Sequence, residues 1–102
     1  MITYRVTVSI PTDVFADWLA WMQHQHIPDV LATGCFVAHH VRRVLDPATN
    51  VTTVVIDYMA TSIDAYHNYA TNRAPALQAQ HSERYGATVT ASRLLLTDEL
   101  RA

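Results

Sequence analysis

Six histidines in a chain of 102 residues are the feature with most chemical potential, because neutral imidazole exchanges protons near pH 7 and also ligates metals. Spacing sorts them. His24 and His26 are two apart, and positions i and i+2 of a helix do not share a face. His39 and His40 are neighbours on a predicted strand and project to opposite faces. No H-x-x-x-H or paired-cysteine spacing occurs, so no metal site and no cofactor are expected, and solvated histidines are the default. His26 and His81 stand apart from the others. Each falls toward the end of a predicted helix, and both helices are expected to run antiparallel to two parallel central strands. That places both residues at one end of the sheet, where they can line a cleft and act as catalytic acid or base. The competing role for each is capping the carbonyls of its helix end.

Aromatic and cationic residues could complete such a cleft. Trp18 and Trp21 are three apart on the first helix, with Trp18 in the core stripe and Trp21 on its flank. Trp21, with Tyr66, is the candidate wall of a substrate pocket; covering a sheet edge or a subunit interface is the alternative. Arg42, Arg43 and Arg93 have the guanidinium fork that grips carboxylates, although a surface ion pair is the commoner use. Cys35 follows Gly34 at a helix–strand junction and reads as a small apolar filler. No G-x-S-x-G or glycine-rich phosphate loop is present, and the chain has only 2 glycines, which disfavours nucleotide-dependent chemistry.

These side chains must be held by a fold, and the chain length allows one domain spanning residues 1–102. Half of it is apolar (50%) and 16% is charged, which supports a folded core. All 7 basic residues are Arg, and the net charge of −2 argues against nucleic-acid or anionic-membrane partners. A single cysteine, no signal-peptide pattern and no long apolar run lead to the expectation of a cytoplasmic protein.

Ile2 to Ile10 alternates strictly: Ile2, Tyr4, Val6, Val8 and Ile10 are apolar, while Thr3, Arg5, Thr7 and Ser9 are polar. This is a strand with one apolar face. Thr12 or Asp13 is expected to cap a helix over about 13–25, with Phe15, Trp18, Leu19 and Met22 as its buried stripe. Ile27-Pro28 is expected to interrupt it, and Gly34 to end a further short turn. A hairpin follows, with strands over 36–45 and 51–60 joined by a turn at 46–50; broken alternation at His39-His40 suggests a bulge. Ser62 caps a second helix, Pro75 breaks it near Arg73-Ala74, Gly86 ends it, and 87–96 is the last strand before a short tail. The order β-α-β-β-α-β gives an α+β, ferredoxin-like domain: a four-stranded antiparallel sheet with both helices on one face. On the other face, Arg5 needs a partner such as Asp57.

Several blocks carry a resemblance. Trp18-Leu19-Ala20-Trp21-Met22, the run from His26 to Gly34, Arg43-Val44-Leu45, Ala74-Pro75-Ala76-Leu77, and His81 with Arg84-Tyr85-Gly86 resemble the pattern of a bacterial family, domain of unknown function 4286. Asp29 stands where that pattern more often has Glu. The resemblance implies a homodimer of the dimeric α/β barrel type, an architecture whose members include cofactorless monooxygenases, haem-degrading enzymes and muconolactone isomerases. Fold alone does not select among them. Two functions therefore compete. One is a small-molecule binder or enzyme performing isomerisation or oxygenation of an activated aromatic or enol, with a histidine as base. The other is a noncatalytic dimeric module, which would fill its pocket with its own side chains.

Overall fold

A computed structural model describes residues 1–45 and 50–98. Its elements are β1 (Ile2–Pro11), α1 (Phe15–Trp21), α2 (Ile27–Ala32), β2 (Ala38–Arg43), β3 (Val51–Ala60), α3 (Ile63–Asn72), α4 (Ala74–Tyr85) and β4 (Thr90–Thr97). The strands form one antiparallel sheet in the order β2-β3-β1-β4, which is the ferredoxin-like α+β arrangement expected from the sequence. Most of the turn expected at 46–50 and most of the C-terminal tail lie outside the described residues.

The alternation of β1 translates directly into faces. Tyr4, Val8 and Ile10 are buried among the helices, with Val54, Ile56 and Tyr58 of β3 beside them. Tyr4 is the centre of this core, with its ring 5.2 Å from Tyr66, 5.8 Å from Tyr69 and 6.1 Å from Tyr58. The two central strands, β1 and β3, pair antiparallel, which corrects the expectation that they run parallel. A β2–β3 hairpin reverses the chain, so the strand that enters the second helical half runs opposite to the first.

The first helical region also departs from expectation. It starts as a 3-10 turn at Thr12–Val14 with no side-chain cap, and it passes through Pro28 without stopping. In a regular α-helix the Pro28 ring would collide with the carbonyl of His24 and leave it unbonded. Here Met22–His26 is wound as a π-helix, and the Ile27 N–H reaches back five residues to the Met22 carbonyl. One wider turn absorbs the proline, and α2 continues until Gly34, whose φ of 75° closes the helix. The second region follows the expectation. The Ser62 side chain accepts from the Ala65 N–H at 3.1 Å, Arg73 leaves helical geometry at φ −123°, and Pro75 opens α4. No bulge occurs at His39-His40, because Ala38–Arg43 pairs with β3 in unbroken register. Strand β2 is exposed throughout, so apolar alternation has nothing to select it there. Among the described residues no helix is long and apolar enough to cross a membrane.

The sheet face away from the helices carries the ion pair that Arg5 requires. Arg5 and Asp57 are directly opposed on β1 and β3. Arg5 donates from Nε to Oδ1 at 2.8 Å and from Nη2 to Oδ2 at 2.9 Å, and Arg42 adds a contact at 3.3 Å. These guanidinium groups hold the Asp57 carboxyl below the usual carboxylate range, against its own burial. The Asp57 side chain is only 6% exposed, whereas that of Arg5 is 36% exposed. Removing the carboxylate therefore leaves cations that water can partly reclaim, and the cost falls below that of breaking a fully buried pair. Asp57→Ala is expected to lose about 1–3 kcal/mol in urea unfolding at pH 7. A carboxyl with a lowered folded pKa stabilises above its unfolded value, about 4, and that stabilisation disappears as pH falls through the folded value. The difference between wild type and variant should accordingly shrink in acid; a difference independent of pH would exclude this assignment.

Candidate functional site

The π-helical turn and α2 on one side, and α4 on the other, enclose with the sheet a cavity of about 210 Å³. Val6, Val8, Ile56 and Ala91 line it from the strands, Met22 and Val30 from the first helical region, and Val89 from the bend that leads into β4. Its polar lining is Tyr4, Tyr58, Tyr69, Gln78, Ser82, His26, His81 and Arg93.

His26 and His81 meet here, with ring centroids 5.9 Å apart. They do so for a different reason than helix ends arriving together. Tyr85 of α4 contacts Asp17 of α1, while His81 contacts His26 further along, so the two helical regions cross in opposite directions. His26 is the last residue of the π-helical turn, and His81 lies within α4 rather than at its end. His26 thus belongs to the same wide turn that accommodates Pro28.

The two imidazoles are held differently. Trp18 is 0% exposed, and its indole Nε1–H donates to Nε2 of His81 at 3.0 Å. Indole nitrogen is only a donor, so Nε2 must present a lone pair and the His81 proton resides on Nδ1. Protonating His81 would set two N–H groups against each other in a closed space. Burial, reinforced by the positive charge of Arg93, lowers its pKa as well. His26 has no such partner: its Nδ1 is buried without a hydrogen bond. Burial and the neighbouring His81 lower its pKa to about 4, with Asp29 acting in the opposite direction. Both rings are therefore neutral at physiological pH. The protein fixes the tautomer of His81 and leaves that of His26 free to change.

Trp21 and Tyr66 are not part of the cavity lining. Trp21 packs behind the histidines, 5.2 Å from His26 and 5.8 Å from His81, and faces a shallow surface groove with Gln25, Gln80, Glu83 and Arg84. Arg84 lies over its ring at 5.5 Å. Tyr66 packs on Tyr4 and on His67 at 5.8 Å. The polar residues that line the cavity in their place, Tyr4 and Arg93, are linked: Arg93 Nε donates to the Tyr4 hydroxyl at 3.0 Å. Both were visible in the sequence, Tyr4 as a core residue and Arg93 as a candidate for a carboxylate ligand or, more commonly, a surface ion pair. Only the β1–β4 register, with Arg93 opposite Val6, brings them together. Arg42 is instead engaged by Asp57, Arg43 lies over Phe15 at 5.2 Å, and buried Cys35 contacts Asn68. Among the described residues no group of three His, Cys, Asp or Glu side chains is placed to hold a metal ion.

Neutral burial of the histidines has a measurable cost in acid. Their folded pKa values lie below the ordinary 6.5, so the unfolded chain binds more protons as pH falls from about 6.5 toward 4, and stability declines across that window. Trp18→Phe removes the donor that occupies Nε2. The His81 pKa should then rise toward its ordinary value in an NMR titration, while His26 moves less. An unchanged His81 titration would show that the indole does not control it.

The sequence matches the family model described as Domain of unknown function (DUF4286) over residues 1–98. No curated protein matches the chain. Among solved structures, an ethyl tert-butyl ether d (ethd) family protein from Bacillus halodurans superposes with a TM-score of 0.67 at 11% identity, covering 96% of this chain and 99% of that one. SnoaB, a cofactor-independent oxygenase from Streptomyces nogalater, gives 0.63 at 14% identity, covering 98% and 95%. A dimeric ferredoxin-like protein from an uncultured marine organism gives 0.53 at 19% identity, covering 97% of each chain. At these identities the likeness concerns the fold. With almost its full length matched by the family model, the chain belongs to the DUF4286 family.

Proposed function

We propose that this protein binds a small, largely apolar organic molecule beside His26 and His81 and moves a proton on it without a cofactor. The observation that carries the proposal is the pair of neutral imidazoles lining one cavity, with one tautomer fixed and the other free. A fixed Nδ1–H on His81 is a hydrogen-bond donor suited to a carbonyl or enolate oxygen. Burial makes His26 a weaker base than free imidazole, so its position against the bound molecule is what suits it to take a proton from an acidified C–H or O–H and return it elsewhere on the same molecule. In that isomerisation the C–H electron pair becomes the enolate, His26 carries the proton, and no oxidant is consumed. A noncatalytic module would close this space with its own side chains, and the open cavity weighs against that alternative. The likeness to SnoaB, described as a cofactor-independent oxygenase, is in keeping with cofactor-free chemistry on this fold.

The same reading includes a homodimer built through the open sheet face, in a cytoplasmic setting compatible with the lone Cys35. That face exposes Leu94 (50%) and Leu96 (39%) beside the Arg5–Asp57–Arg42 cluster, and related folds are described as dimeric. Light scattering should give twice the chain mass, and Leu94→Asp with Leu96→Asp should reduce it to the monomer; a wild-type monomer would remove this part.

Proton transfer is testable on a simple 1,3-diketone in deuterium oxide, with exchange at the central carbon followed by proton NMR. Wild type should exceed an equal concentration of free imidazole, and His26→Ala should lower the excess by about a hundredfold, within the usual range for a positioned base. Exchange no faster than with free imidazole, or unaffected by His26→Ala, would rule out His26 as the base.

A further inference from the structure

Arg93 differs from Arg5, Arg42 and Arg84 in having no carboxylate partner among the described residues, and from Arg43, which lies over Phe15, in lining the cavity. Arg5 and Arg42 converge on Asp57, and Arg84 lies 3.7 Å from Asp17. Arg93 instead contacts a neutral phenol, using Nε alone, and has no carboxylate partner among the described residues. Its two terminal Nη groups, which form the planar fork, remain unengaged there. Arg93 is also the only formally charged residue among those lining the cavity, which includes no Asp or Glu. It is solvent-exposed, so it marks the cavity mouth, while Val6, Val8, Val30 and Ile56 supply an apolar interior.

We infer that Arg93 and Tyr4 form a carboxylate subsite at the mouth of this cavity, and that the ligand is a small organic acid with an apolar or aromatic body. This rests on the cavity being a ligand site, as proposed above, and adds the class of molecule it takes. The Tyr4 hydroxyl holds the guanidinium through Nε, leaving the Nη edge for a bidentate grip on two oxygens. A single cation in the lining matches a monoanion. A phosphate monoester would bring a second negative charge and a third oxygen with no second cation to meet them. The neutral histidines then contact the body of the ligand rather than competing for its charge. The chain as a whole is negative, with a net charge of −2, so anion selection must come from this local cation rather than from the global field.

Salicylate and its neutral isostere salicylamide test the subsite on the intact protein, by calorimetry and by the NMR shifts of the His26 and His81 rings. Wild type should bind salicylate about tenfold more tightly than salicylamide, the expected scale of one charge-assisted pair at a partly exposed site. Arg93→Gln should abolish that preference by weakening salicylate far more than salicylamide, and Arg93→Lys should restore part of it. Added salt should weaken salicylate alone. If both probes bind wild type equally, or if Arg93→Gln keeps the preference for the anion, the carboxylate subsite is wrong while the cavity remains a ligand site. If neither probe moves the histidine resonances, the subsite and the ligand reading on which it rests both fail.

Discussion

A fully buried indole N–H must find an acceptor, and Trp18 finds it in Nε2 of His81, 63 residues away. That bond joins the first helical region to the last. An unpaired donor in this position would cost about 1–3 kcal/mol, so the fold strongly favours a neutral His81 with its proton on Nδ1. The rest of the site follows from this constraint. His81 becomes a donor rather than a base, and its neutrality leaves His26 beside an uncharged ring 5.9 Å away. Trp21, Tyr85 and Arg84 pack around the pair from outside, which shields the imidazoles and keeps both in their neutral form.

The sheet separates two kinds of electrostatics. On the open face, Asp57 gathers Arg5 and Arg42 into one cluster, two cations around a single buried carboxylate. On the helix face, Arg93 is balanced only by a phenol oxygen, in a cavity without carboxylates. Arg5 and Arg42 are tied to a carboxylate and serve structure, whereas Arg93, lining a cavity without carboxylates, is the cation suited to a ligand. The alternation of β1 underlies this division: Tyr4 and Arg5 are neighbours in sequence and anchor opposite faces.

Much of the fold was legible in the residues. The alternation of Ile2 to Ile10, the Ser62 cap, the break before Pro75 and the two glycine stops are local chemistry, and each determines its element with little outside help. Asp57 as the partner of Arg5 was legible too, because a cation in mid-strand on a sheet face calls for a counter-charge from a neighbouring strand. Pro28 was misleading, since a proline usually stops a helix, whereas here one wider turn absorbs it. The candidate site was half legible. His26 and His81 stood out by type and place, but the central strands run antiparallel rather than parallel, and the antiparallel crossing of the helices brings the two residues together. Arg93 could not be joined to Tyr4 without the β1–β4 register, and the run Leu94-Leu95-Leu96 obscures which residues of β4 face inward.

The central claim is that Trp18 holds His81 neutral, with its proton on Nδ1. Long-range proton–nitrogen correlation spectra of the imidazole rings at pH 7 report this state directly, because protonated and bare ring nitrogens resonate far apart. The account predicts an Nδ1–H tautomer for His81, with a bare Nε2 coupled to the Trp18 indole proton across the hydrogen bond. An Nε2–H tautomer, or a charged His81 ring, would contradict it.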